Sequence, residues 1–216
     1  MRRRGGGEVL ESEFLAKIVK INLRHNFLQH LFAAIGIVIL TPVIFETSSL
    51  DGKLAAQPLE MFLCLSGAIL FTPIFLPEQD ENIRDLIRSK RTNYLAVCAV
   101  RFAYSAVVLA AIIGGFTFFM RACESAVGWQ HFFGAFVTAL FLGALGFLGA
   151  GISGNVTVGY MVAMIYYIAN FTLKDKLGNF YLFSMSSGSG DGKLFLLAAA
   201  LLLVAAVFEW KRVREG

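Results

Sequence analysis

The sequence has little that would keep it in water. Charged residues make up only 16% of the 216, four prolines interrupt the chain, and three cysteines are scattered along it. With 57% hydrophobic residues and a mean hydropathy of +0.68, too little polar surface remains to cover one large core, which excludes an ordinary soluble domain. Cys64, Cys98 and Cys123 lack metal-ligand spacing. Free, buried thiols are expected, with a Cys64–Cys123 disulfide as the alternative. No cleavable signal stands ahead of the first apolar run, so that run is expected to stay as an anchor. A basic surface interleaved with aromatics is also missing, which argues against nucleic-acid binding.

Groups that could do chemistry are equally scarce. GSGDGKL at 188–194 resembles a phosphate-binding loop, but Ser187 stands where its first glycine belongs and Leu194 replaces the hydroxyl that would bind magnesium. A flexible loop is expected there. His25 and His30 are five apart and share no helix face, and His131 falls on the other side of the membrane. Within the apolar runs only Glu60, Arg101 and Glu209 carry charge. Glu60 and Glu209 read as span-end groups that reach the headgroups. Arg101 either snorkels to the inner interface or acts as a strut to Glu78 or Asp85. Thr157, Tyr160, Tyr166, Tyr167 and Asn170 either line a pathway or serve helix packing. No catalytic residue and no metal ligand is assigned.

What the chain does have is apolar length. Six runs, at 27–45, 59–76, 94–119, 132–150, 156–173 and 194–210, reach or approach the roughly 18–20 residues a helix needs to cross a bilayer. The fold class is therefore an all-α polytopic membrane protein. Counted on alternate sides of these runs, Lys and Arg divide thirteen to five, which places both termini and the 77–93 segment in the cytoplasm. Residues 8–26 space Leu10, Phe14, Ile18 and Ile21 three and four apart, as in an interfacial amphipathic helix closing an N-terminal segment of 1–26. The six-span domain then covers 27–210 and a cytoplasmic tail 211–216. GALGFLGAG carries Gly143, Gly146 and Gly149 on one face, expected to allow close packing within the subunit rather than across a dimer. GISGN at 151–155 is short enough to force a tight hairpin. The 174–193 loop, with Phe180, Tyr181 and Phe183, is expected to be half-buried or re-entrant at the outer face.

The most unusual stretch is PEQDENIRDLIRSKRTN at 77–93. Pro77 suits a first helical turn, Glu78, Asp80 and Glu81 follow it, and Arg88, Lys90 and Arg91 close the far end, an order that complements a helix dipole. Ile83, Leu86 and Ile87 fall on one side, ringed by Arg84, Asp85 and Arg88. Asp80–Arg84 and Asp85–Arg88 are spaced to pair along the surface. A short helix with a small apolar face and a charged rim is suited to docking in a groove of another protein.

With the interfacial helix, six runs, this charged segment and the 174–193 loop, the chain resembles the membrane subunits of type-2 ABC exporters. The resemblance implies that 77–93 is a coupling helix docking on a separate ATP-binding subunit, and that 174–193 holds short re-entrant helices. It also implies a second permease subunit, identical or homologous, and export of a peptide, antibiotic or lipid-like cargo. ATP and magnesium would belong to the partner, so this chain would be no enzyme and hold no cofactor. A bacterial plasma membrane, with its lipids as further partners, is the implied location. The alternative is a membrane scaffold or signalling subunit whose charged segment binds another cytoplasmic protein.

Overall fold

In the computed structural model, residues 27–79, 94–190 and 192–215 are described, and every regular element among them is helical. The expected interfacial helix at 8–26 and the expected coupling residues Asp80, Glu81, Ile83, Arg84, Asp85, Leu86, Ile87 and Arg88 lie outside the described residues. Five helical stretches are long and apolar enough to cross a membrane: Gly52–Pro77, Leu95–Ala122, Trp129–Ser153, Val156–Leu173 and Lys193–Val213. The chain is a multi-pass membrane protein.

The first described helix, α1 (Leu28–Ile44), is shorter than these. Its 17 residues rise about 25 Å, less than the hydrocarbon core of about 30 Å. Pro42 lies inside α1, and the Thr41 hydroxyl beside it donates to the Ile37 carbonyl at 2.7 Å.

The second stretch begins at Gly52, well ahead of the run expected from 59, so the 46–58 loop is shorter than its polar residues suggested. Asp51 explains the early start, since its carboxylate caps the helix by accepting from the Leu54 N–H at 2.9 Å. The stretch comprises α2 (Gly52–Gln57), a π-helical segment (Pro58–Leu63), α3 (Leu65–Phe71) and a 3-10 segment (Thr72–Gln79). Pro58 has no N–H to continue the α ladder, and the wider register starts at it. The remaining helices are α4 (Tyr94–Ala122), α5 (Trp129–Ser153), α6 (Val156–Leu173) and α7 (Lys193–Glu215), with a 3-10 turn, Lys174–Phe180, after α6.

Helix α5 is the centre, with α3, α6 and α7 packed around it. Its glycines and small residues make that possible. A Cβ on Gly67 of α3 would sit 1.9 Å from the Ala139 carbonyl oxygen, and one on Gly143 would meet Phe71 and the Gly67 carbonyl. On the other side a Cβ on Gly159 of α6 would lie 2.5 Å from the Gly146 carbonyl oxygen. The glycine stripe thus serves packing inside the subunit. Gly154, at φ +70°, ends α5 in the left-handed region, and Asn155 caps α6 through the Thr157 N–H at 2.8 Å, so two residues make the whole α5–α6 turn.

Two loops are fastened together at one end of the bundle. Ser49 N–H donates to the Cys123 carbonyl, Ala126 N–H to that of Leu50, and the buried Ser125 hydroxyl to that of Thr47. His131 accepts from the Gly128 N–H through Nδ1, which leaves Nε2–H to donate to the Gly52 carbonyl at 2.9 Å. The Lys53 side chain lies against Gly188, bringing the third loop to the same end. At the other end Gln79 reaches the Gly154 carbonyl at 3.5 Å. All three cysteines are free, Cys64 and Cys98 buried.

Gly67→Ala should therefore destabilise the protein by about 3 kcal/mol or more, because neither backbone can retreat. Gly115→Ala, where a Cβ meets open space, should be neutral or slightly stabilising. Thermal unfolding in detergent micelles distinguishes the two.

Candidate functional site

Two buried cations mark the parts of the bundle that packing alone does not explain. The first is Lys193, the opening residue of α7 and 4% exposed. Its ammonium meets Glu60 Oε1 at 2.5 Å and donates to Thr138 Oγ1 and to the Leu182 carbonyl, each at 2.6 Å. Three protons thus find three acceptors from three parts of the chain. Glu60 is 1% exposed and sits in the π-helical segment. Besides the ammonium, its carboxylate accepts the Met185 N–H at 3.2 Å and the Ser186 N–H at 3.0 Å.

This arrangement corrects two expectations. Glu60 is not a span-end group at the headgroups, because its helix begins at Gly52 and carries it inward. Lys193 is not part of a flexible loop; it is buried at the start of the last helix. Glu209, by contrast, is exposed near the end of α7 and pairs with Arg212 at 3.7 Å.

The pair holds down the segment between α6 and α7. Leu182, Phe183 and Ser184 are buried. Met185 fills the space left by the missing side chain of Gly134, and Phe183 packs on Tyr167, Phe171 and Tyr181. Asn170 accepts the Leu182 N–H through Oδ1 at 2.9 Å, and the Tyr166 hydroxyl donates to the Phe180 carbonyl at 2.7 Å. Tyr167 donates to the Met61 carbonyl, an acceptor in the π-helical segment. Tyr160 reaches the Ile69 carbonyl at 3.5 Å. Tyr160, Tyr166, Tyr167 and Asn170 of α6 thus all bond to neighbouring backbone.

The second cation is Arg101 of α4, also 4% exposed. Its Nη1 donates to the Ile74 carbonyl at 3.0 Å. The guanidinium is therefore enclosed by protein rather than snorkelling along the lipid face, and it joins α4 to the 3-10 segment just before the charged stretch. A strut to Asp85 lies outside the described residues, as does the Glu78 side chain. Nearby, His30, Ser105, Tyr104, Leu70, Pro73, Ile74 and Phe27 line a small cavity. Among the described residues, no cluster of His, Cys, Asp and Glu side chains suited to a metal ion occurs.

The long second stretch is thus gripped near both ends, by Lys193 at one and Arg101 at the other. Removing one partner of the first grip leaves a buried charge without its counter-ion. Glu60→Ala should lower stability by about 3–5 kcal/mol, while Glu60→Met combined with Lys193→Met should cost less than either single substitution. Unfolding midpoints in detergent check the order.

Comparison with known proteins gave no match: no family model, no curated protein and no solved structure matches this chain.

Proposed function

We propose that the chain is the permease subunit of an ABC exporter. Its 77–93 segment would be the coupling helix that receives a separate ATP-binding subunit, and a second permease subunit would complete the pathway. The observation that carries this reading is the placement of a charged, helix-patterned stretch between two apolar helices joined at its base. Arg101 ties α4 to the Ile74 carbonyl there, so a push on 77–93 would reach both helices together. The Lys/Arg asymmetry supports a cytoplasmic position for the stretch. The chemistry lies in the partner: this chain would bind no nucleotide, and its membrane would be a bacterial plasma membrane.

Docking through Ile83, Leu86 and Ile87 should depend on a few apolar anchors, each worth roughly 1.5–3 kcal/mol, with the charged rim setting orientation. Leu86→Asp with Ile87→Asp should leave the protein in the membrane but without its ATPase partner on co-purification. Arg84→Glu should keep most of the assembly and lower transport and stimulated ATP hydrolysis together. In a cysteine-free background, cysteines at Ser49 and Ser189 should react with impermeant thiol reagents in intact cells. One at Ser89 should react only after permeabilisation. Retention of a full complement of ATPase subunits by the double Asp variant would favour the scaffold reading.

A further inference from the structure

A buried ion pair is a weak source of stability, since removing two charges from water costs about what their attraction returns. The Glu60–Lys193 pair therefore calls for another explanation, and its geometry offers one. Five hydrogen-bonding contacts meet at two side chains. Three of them go to the backbone of a single short segment: Lys193 to the Leu182 carbonyl, Glu60 to the N–H groups of Met185 and Ser186. The other two, the ion pair itself and the Thr138 contact, fix the side chains to the second stretch, α5 and α7.

We infer that Glu60 and Lys193 are positioning residues of a latch that seats residues 182–186 over the end of the bundle opposite Gln79 and Gly154. Three features suit release as well as seating. The pair's hydrogen bonds to the segment all run to main-chain groups, so letting go breaks no side-chain hydrogen bond of the segment, although Phe183 and Met185 must leave their packing. Glu60 lies in the π-helical register after Pro58, where a shift of the helix would move the carboxylate without breaking an ideal α ladder. The seated segment also keeps the Ser184 hydroxyl buried with no hydrogen-bond partner among the described residues, a cost that unseating relieves. A movement of the Gly52–Pro77 stretch would then be felt at 182–186 through Glu60. The latch stands on these contacts whether or not the chain is a permease.

Hydrogen–deuterium exchange of the full-length protein in detergent micelles tests this directly, because Glu60 protects the amides of Met185 and Ser186. In Glu60→Met/Lys193→Met, peptides covering 182–190 should exchange at least about tenfold faster, while peptides from 129–153 stay as slow as in the unsubstituted protein. Glu60→Gln, which keeps the shape without the charge, should move the same peptides in the same direction and serves alone if the double variant aggregates. Unchanged exchange at 182–190 in a folded variant would overturn the latch. So would an equal acceleration in 129–153, which would make the pair a general stabiliser.

Discussion

Between helices in hydrocarbon there is no hydrophobic gain to be had, because lipid tails are as apolar as leucine, so association relies on close contact of backbones and side chains. Helix α5 meets that constraint by placing glycines where its neighbours approach most closely. Gly143 and Gly146 face α3 and the 3-10 segment, Gly149 faces α6, and Gly151 faces Val207 of α7. The burial of the larger residues follows from those approaches. Phe71, Phe147 and Leu142 become inaccessible because the backbones beside them are already near contact. The sides of the helices turned away from the core keep broad apolar faces, such as Phe32, Ile39 and Val43 on α1 and Leu201, Leu202 and Val213 on α7, as a lipid-facing surface requires.

Polar groups inside such a bundle occur where chain segments need to be held in register. The second stretch illustrates this. Near one end it offers a carboxylate to an ammonium and two amides; near the other it offers a carbonyl to a guanidinium. Between these points its backbone passes from π to α to 3-10 geometry. A rod with several registers and fixed ends differs from a uniform helix, since its length and twist can be redistributed internally while the ends stay attached. That property fits the role proposed for it.

Much of the architecture was legible because apolar runs near bilayer length have few alternatives. The run from 156 matches the helix start at Val156, where a polar turn gives way abruptly to apolar residues. The 46–58 region was misread because Lys53, Gln57 and Pro58 look like loop residues. The Asp51 cap, a short polar side chain three residues before the N–H it accepts, was the available signal. That one boundary decides where Glu60 lies: a helix starting at 59 makes it terminal, and one starting at Gly52 carries it inside. Its partner was harder to find. Lys193 stands at the edge of an apolar run like any flanking lysine, and nothing local distinguishes a lysine facing headgroups from one folded inward to a distant carboxylate. Pairing the acid in one run with the basic residue opening another at the same end would have been the route to it.

The two-residue turn between α5 and α6 bears on how the protein is made. Gly154 and Asn155 leave no room for a loop between these helices, so the two are held as a single hairpin. Helix α6 has a mean hydropathy of 1.5 against 2.1 for α5, and carries Tyr160, Tyr166, Tyr167 and Asn170. Much of what those polar groups bond to, the backbone at Met61, Ile69 and Leu182, comes from parts of the chain lying on either side of the hairpin. The hairpin thus joins a more apolar helix, α5, to a less apolar companion, α6. Partners for the companion's polar side chains then arrive from a segment already made and from one still to emerge.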